Sequence, residues 1–577
     1  MVRAALWTAV ALLATAGTAR AETLWTDVTA DTIGATGEWS NKVELADLNG
    51  DGRVDILFAN GGNYNEPGAP EPNRIFLNQG AGKPFREATE EILGPTGDLA
   101  RVIKARDLDG DGVVDIVVGT TYQTRSRLYL GSGNGAFREV TESNLPDTVG
   151  SIGDLEIGDV DGDGDLDLVL ADWGPGDPFE SEGAPVRLWL NQGGGRFAEA
   201  ADRMPTSKVR WSWDLELFDA DNDYDLDIAV SCKVCSGSRL YHNDGSGHFT
   251  DASDQLPQFS NNYEFEPIDL DGDGFMDLVT INDGEQVSAG DQFDRREHVF
   301  MADGQGGFRD GTTEVWPAAA NVGADDNAAV VLDVDSDGDP DFLIGSLSGA
   351  DRLLVNQDGH LEVDQTVFGG AATPGTLGIA VADLDGDKRL DVVQAQGEAA
   401  DDERVYFGTG DTPDGAAPRI DLVESPELGG DGSAVTIRAR VHDNKTPVAA
   451  YDFSEVVLCR GTCIKAAARA AMTWYGGALW RADLEVSAGD TVQVCATDRA
   501  GNAACSDPVV VGDDKTDDPD AGVKDGDGGC AAAGAADGGP GSAAIAGLFL
   551  LLVACCAGAL RAKRSACRSS RSSRRLP

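Results

Sequence analysis

An acidic nonapeptide recurs seven times along this chain, and no other feature narrows its possible folds as far. It reads Asp, any residue, Asp or Asn, any residue, Asp, three variable residues, Asp. The copies begin at Asp47, Asp107, Asp159, Asp219, Asp269, Asp333 and Asp383. Intervals of about 50 to 64 residues are the period of a repeat architecture, not of scattered loops. Each copy crowds three or four carboxylates into one short turn, where they repel one another unless a cation neutralises them.

The second copy, Asp107-Leu108-Asp109-Gly110-Asp111-Gly112-Val113-Val114-Asp115, shows the chemistry. Side chains at positions one, three, five and nine would converge on one ion. The carbonyl at position seven would complete the set, and Gly112 would allow the sharp turn. A hard, oxygen-seeking cation with six to eight ligands suits such a set, and in an extracellular setting that is Ca2+. An EF-hand loop begins in the same way but needs a Glu at position twelve and a helix after it. Here position twelve is Val118, inside the β-type run Ile116-Val117-Val118. One copy alone could be an ordinary Asx turn. Seven copies with the same oxygen positions filled point to about seven Ca2+ sites. Their candidate ligands are Asp47, Asn49, Asp51 and Asp55; Asp107, Asp109, Asp111 and Asp115; Asp159, Asp161, Asp163 and Asp167; Asp219, Asp221, Asp223 and Asp227; Asp269, Asp271, Asp273 and Asp277; Asp333, Asp335, Asp337 and Asp341; and Asp383, Asp385, Asp387 and Asp391. Tyr224 and Lys388 replace the turn glycine in two copies, which are expected to be the weakest sites.

Each unit continues alike. A run such as Arg127-Leu128-Tyr129-Leu130 or Arg187-Leu188-Trp189-Leu190 follows the loop and its strand. Then come a Gly/Asn turn and a short strand opened by an aromatic: Phe85, Phe137, Phe197, Phe249 or Phe308, with Leu361 in one unit. With the strand entering each loop, this makes four strands per unit and predicts an all-β, seven-bladed propeller. The seventh unit lacks its last strand after Val405-Tyr406-Phe407. Leu24-Trp25-Thr26-Asp27-Val28-Thr29 matches the missing piece, so the N-terminal strand is expected to complete the last blade and remove an exposed edge. From about Thr23 to Gly410 the chain resembles the FG-GAP/VCBS repeat family, whose relatives include the propeller heads of integrin α chains. The resemblance implies Ca2+ in the loops and a role in adhesion or recognition. It does not assign a partner.

The flanks read as an export and anchoring cassette. Residues 1–21 have the form of a secretory signal peptide, with Arg3, an apolar stretch from Ala4 to Ala14 and a small-residue cleavage site at Ala19-Arg20-Ala21. Residues 22–411 are assigned to the propeller. Alternating runs such as Val435-Thr436-Ile437-Arg438-Ala439-Arg440-Val441 place a small Ig-like β-sandwich at 412–511. A polar linker at 512–542 carries Cys530, an apolar run at 543–560 suffices for one transmembrane helix, and a basic tail at 561–577 would stay cytoplasmic. Together the Cys, span and Arg cluster resemble a myxobacterial C-terminal sorting signal. The expected location is the membrane or cell surface of a Gram-negative bacterium, with the span either permanent or cleaved on arrival.

Charge and cysteines agree with export. The formal net charge is −54; setting aside two leader arginines and seven basic tail residues leaves −63. Such a surface argues against nucleic acid and anionic membranes as partners. Ten cysteines suit an oxidising compartment. Cys232 and Cys235 are expected to form a local disulfide. Cys459, Cys463, Cys495 and Cys505 are expected to form two bridges, whose pairing the sequence leaves open. The five histidines show no metal spacing, and the aspartates are accounted for by the loops, so no catalytic group stands out. The leading expectation is a calcium-binding surface recognition or adhesion protein, not an enzyme, whose partner is a surface protein or a carbohydrate. The alternative is a secreted or surface-anchored propeller enzyme acting on polysaccharide. The face opposite the acidic loops carries the long connections 60–73, 171–185 and 281–297. Tyr64, Trp173, Phe179, Trp39, Trp211, Trp213 and Tyr263 lie on or near that face, either as partner anchors or as packing between blades.

Overall fold

The computed structural model describes residues 23–512, apart from 64–65, 178–179, 236, 260, 283–296, 318–320, 322–324, 348, 358, 370–374, 398–400, 411, 425–433, 444, 447–451 and 467. The leader, Tyr64, Phe179, most of the 281–297 connection, Cys530, the apolar run and the basic tail lie outside the described residues. Among the described residues no helix is long and apolar enough to cross a membrane.

The chain is all-β, built from repeated four-stranded antiparallel sheets, each open at its edges. Sheet one is Ser40–Ala46, Asp55–Asn60, Arg74–Leu77 and Arg86–Glu87. Sheet two is Ala100–Arg106, Asp115–Thr120, Arg127–Gly131 and Phe137–Glu139. Sheet three is Ile152–Gly158, Asp167–Asp172, Arg187–Asn191 and Phe197–Glu199. Sheet four is Leu215–Phe218, Asp227–Val230, Arg239–Asn243 and Phe249–Asp251. Sheet five is Asn262–Ile268, Asp277–Asn282, His298–Ala302 and Phe308–Asp310. Sheet six is Asp326–Leu332, Asp341–Ser346, Arg352–Gln357 and His360–Asp364. Sheet seven is Thr376–Ala382, Asp391–Gln396 and Arg404–Gly408, with Trp25–Asp27 as its fourth strand.

Burial explains the strand sequences. The second strands, such as Asp115–Thr120 and Asp341–Ser346, are buried at every position, because each sheet is covered on both faces. They accordingly read as near-continuous apolar runs and not as alternations. In the fourth strands of sheets three, four and five only the leading aromatic is buried. Seven apolar clusters lie between successive sheets. Leu57 and Ile75 meet Ile103 and Ile116 between sheets one and two. Leu45, Ile56 and Phe58 meet Val393, Ala395 and Val405 between sheets one and seven. The first strand of sheet seven also lies beside the first strand of sheet one. The inner strands carry charge between them: Lys42 Nζ lies 2.9 Å from Asp154 and 3.1 Å from Asp214, across three different sheets.

The N-terminal strand behaves as expected. Trp25, Thr26 and Asp27 pair with Gly408, Phe407 and Tyr406. Trp25 is buried, donates Nε1–H to Leu390 O at 2.7 Å and stacks on Phe368 at 5.3 Å. One feature was not visible in the strand pattern. A one-turn helix follows several fourth strands, at Thr29–Thr32, Thr89–Ile92, Thr141–Asn144 and Thr312–Val315. Its first threonine accepts a hydrogen bond from the backbone N–H of the third strand: Ile75 to Thr89, Leu128 to Thr141, Val299 to Thr312. Val405 donates in the same way to Thr29 across the length of the repeat region.

Residues 419–511 form two further sheets around a shared core that includes Ile437, Val441, Leu458, Trp480 and Val494. One orders Arg419–Val423, Val435–His442, Leu479–Leu484 and Thr473–Gly476; the other orders Ala468–Ala471, Phe453–Arg460, Thr491–Asp498 and Ala503–Cys505. Disulfides join Cys459 to Cys463, Cys495 to Cys505, and Cys232 to Cys235, which resolves the pairing left open above.

Because Trp25 is a fully covered aromatic holding one sheet together from the far end of the chain, Trp25→Ala should cost about 3–5 kcal/mol in chemical denaturation. A loss below about 1 kcal/mol would show that the N-terminal strand is dispensable.

Candidate metal centres

Each acidic loop joins the first strand of a sheet to the second, so all seven sit at the same end of their sheets. The loops are braced by their own backbone. The N–H at position six donates to Oδ2 of the position-one aspartate in all seven, from Gly52 to Asp47 at 2.7 Å through Gly112, Gly164, Tyr224, Gly274 and Gly338 to Lys388 on Asp383 at 2.9 Å. The N–H at position seven donates to Oδ1 at position five in all seven, as Val113 does to Asp111 at 2.9 Å. This folding needs positive φ at positions four and six. Tyr224 (67°) and Lys388 (69°) adopt it as Gly112 (84°) does. The glycine substitutions therefore leave the loop geometry intact, at a backbone cost of roughly 1–2 kcal/mol each.

The position-nine aspartate has a second task that its place in the motif does not reveal. Asp55 accepts from Leu48 N–H in its own loop at 3.0 Å and from Asn78 N–H on the third strand at 2.7 Å. The same pair of bonds recurs at Asp115, Asp167, Asp227, Asp277, Asp341 and Asp391. All seven are fully buried. Burial pushes their pKa values up, to about 7 at Asp55, about 6 at Asp115 and about 8 at Asp167, Asp277, Asp341 and Asp391; the two N–H donors oppose this, and neighbouring loop carboxylates add to it.

Carboxylate oxygens converge as a cation site requires. One oxygen from each of Asp107, Asp109 and Asp115 lies within 4.8 Å of the others. The same holds for Asp159, Asp161 and Asp167; for Asp219, Asp221 and Asp227; for Asp269, Asp271 and Asp273; and for Asp333, Asp335 and Asp341. Position five is the outermost: Asp51, Asp111, Asp163, Asp223, Asp273, Asp337 and Asp387 are exposed. Oδ1 of Asp161 and Oδ1 of Asp269 are buried and accept no hydrogen bond among the described residues. An ionised oxygen without water or a donor is costly, and a cation satisfies it. These donors, all hard oxygens, fit Ca2+.

Three asparagines at the ends of third strands, outside the acidic motif, also brace the loops. Asn78, Asn191 and Asn243 each donate from Nδ2 to two backbone carbonyls. One belongs to their own loop (Val54, Leu166 or Leu226) and the other to the loop of the preceding sheet (Leu384, Leu108 or Val160). Their sequence signal is an Asn closing the third run, present only in some units.

At the opposite end of the sheets the aromatics are packed. Trp173, Trp211, Trp213 and Tyr263 are buried in one cluster with Leu377. Cations lie over them: Arg101 is 3.9 Å from the Trp213 ring, and Lys233 is 4.0 Å from that of Tyr263. Of the two readings of these side chains, packing holds for all four, and exposed anchoring for none.

The FG-GAP-like repeat family matches residues 47–118, 107–170, 233–280 and 333–393, each match containing or adjoining acidic loops. Two solved structures are similar in part. One is an Agrocybe aegerita lectin described as recognising non-reducing terminal N-acetylglucosamine, 19% identical, covering 56% of this chain and 80% of its own, with a TM-score of 0.35. The other is a biofilm matrix protein of V. cholerae, 16% identical, covering 85% of this chain and 63% of its own, with a TM-score of 0.28. No curated protein matches the sequence. Four stretches of the chain thus carry FG-GAP-like repeats.

A cation held in these loops would compete with protons for the same oxygens. A carboxylate whose pKa is raised from 3.8 to about 8 holds its proton more tightly folded than unfolded. Without a cation it therefore costs stability as pH rises from about 4 to 8. Calcium affinity should fall as pH is lowered from 8 to 5, and the Tm gain on adding Ca2+ should grow over the reverse interval. Scanning calorimetry with and without Ca2+ at three pH values checks this; a pH-independent gain would place binding elsewhere.

Proposed function

We propose that the chain is a calcium-stabilised surface recognition protein, in which the seven sheets are blades of a β-propeller and the loops hold Ca2+. The supporting observation is the loop itself: seven copies share one backbone geometry and one buried aspartate, and buried carboxylate oxygens in two of them have no donor among the described residues. The cyclic order of the interfaces, with sheet seven against sheet one, supports the propeller. Bound Ca2+ would supply charge neutralisation and nothing chemical, so the reading is of a binder and not an enzyme. In this reading 1–21 is a leader, 412–511 an Ig-like module, and 543–560 an anchor followed by a cytoplasmic tail.

The partner, a carbohydrate or a surface protein, is assigned to the face opposite the loops. Burial of the tryptophans makes them scaffold there. The contact surface falls instead to exposed stretches of the long connections, such as 66–70 and 175–177.

Extracellular calcium modules bind with Kd of about 0.1–1 mM. At roughly 1 mM Ca2+ each site would contribute on the order of 0.4–1.4 kcal/mol. Seven would contribute roughly 3–10 kcal/mol, comparable with the whole stability of a domain, about 5–15 kcal/mol. Excess chelator should therefore lower the Tm strongly, with little recovery in Mg2+. Glycan arrays and pull-downs of surface proteins with the full chain should lose their hits in chelator. An unchanged Tm in chelator would end the calcium reading; hits that survive chelation would separate recognition from the loops.

A further inference from the structure

The departures from the loop consensus fall in one place. Four residues stand where other loops have glycine at positions four and six: Asn222, Tyr224, Ser336 and Lys388. Each meets the C-terminal sheet pair. Tyr224 O accepts from the Tyr475 hydroxyl at 2.8 Å, and Asn222 Oδ1 from Arg440 at 2.5 Å. Ser336 Oγ accepts from Lys445 Nζ at 3.1 Å, and Lys388 Nζ donates to Ala500 O at 2.7 Å. Backbone bonds join the same seam, from Asp159 N–H to Tyr475 O at 2.8 Å and from Asp333 N–H to Lys445 O at 3.1 Å. The substituted loops four, six and seven are thus among those on which 419–511 rests.

Three loops along the seam, only one of them substituted, receive a guanidinium on the position-one carboxylate. Arg481 bonds Oδ2 of Asp159 in loop three. Arg440, fully buried, bonds Oδ2 of Asp219 in loop four at 3.0 Å. Arg419 bonds Oδ2 of Asp269 in loop five at 2.5 Å. In each case Oδ2 also accepts the position-six N–H. The guanidinium therefore shares Oδ2 with the turn N–H and adds one positive charge to the loop without displacing the turn. The position-one aspartates of the other four loops receive no guanidinium from 419–511 among the described residues. Lys445 reaches loop six through Val334 O and Ser336 Oγ and not through a carboxylate.

We propose that Arg419, Arg440 and Arg481 divide the calcium sites into two affinity classes, making loops three, four and five weak sites whose occupancy opposes docking of the C-terminal sheet pair. This rests on the calcium reading of the loops. A unit positive charge held against a ligand carboxylate in a partly covered site weakens divalent binding on the order of tenfold or more. Linkage is reciprocal, so calcium entering these three loops weakens the arginine contacts by the same factor. Charge from the neighbouring sheet pair, not the missing glycine, then ranks the sites. The loop with Lys388, whose own pair of Arg389 with Asp387 is solvent-screened, belongs to the tight class, and the loop with Asp159, which has every consensus glycine, belongs to the weak one.

Calorimetric titration of the full chain with CaCl2 tests this, in the wild type and in Arg419→Gln, Arg440→Gln and Arg481→Gln. Two classes of site are expected, and each variant should move one site from the weak class to the tight one, with an affinity gain of about tenfold. Arg440→Lys, which keeps the charge, should keep the wild-type pattern, separating charge from packing. Arg481→Gln changes a seam-edge residue and keeps the test valid if Arg440→Gln fails to fold. Calcium bound in one class, equally in wild type and variants, overturns this inference and leaves the calcium reading standing. No calcium bound by any of them overturns both.

Discussion

The structure depends on one aspartate repeated seven times at the end of the acidic loop. With one carboxylate oxygen it takes an N–H of its own loop, and with the other an N–H of the third strand. It thereby fixes where the sheet turns and where the third strand ends. Burial at zero or near-zero exposure makes both bonds expensive to lose. The same burial makes the charge expensive to keep, and the raised pKa values express that conflict. A divalent cation, as proposed for these loops, would resolve it by favouring the ionised form. In these loops the residues that brace the turn are also the candidate metal ligands.

From this brace the rest follows outward. The second strand begins at the aspartate and runs fully buried between two neighbouring sheets. Apolar clusters then form between sheets, not within one, and each sheet depends on both neighbours. The seventh sheet borrows its edge strand from the other end of the repeat region, with Trp25 as the buried anchor. Cooperation is therefore spread around the repeats, and a local weakness in one loop is carried by its neighbours. Tyr224 and Lys388 show this: both hold a left-handed backbone that their side chains disfavour, and both are fastened by the C-terminal sheet pair.

The two ends of the sheets divide the work differently. At the loop end, carboxylates meet arginines of 419–511. At the other end, aromatics and cations pack together. First-strand bulges help to build that packing, since Arg101, Tyr263 and Leu377 are the extra residues where the strand register shifts. A bulge turns its side chain out of the alternation, here into the aromatic cluster. What remains exposed there is connecting chain such as 66–70 and 175–177.

The seven acidic loops, the four-strand period and the N-terminal closing strand were all legible in the sequence. Each is a local pattern: ligand spacing within nine residues, a run of apolar residues, an aromatic two residues before an acid. Local patterns survive because they answer to turn geometry and backbone hydrogen bonding, which act over a few residues. The sequence also supplied the two candidate roles of Trp211 and Trp213 but could not choose between them, because burial depends on what comes from other sheets. Three things were decided by tertiary structure alone. The position-nine aspartate became a brace because the third strand, 15 to 25 residues away, ends beside it. Asn191 became a link between loops because the preceding sheet lies against its own. Arg440 became a partner of Asp219 because two regions separated by 221 residues fold onto one seam. Charge acts through space, and only the folded chain fixes which charges are near.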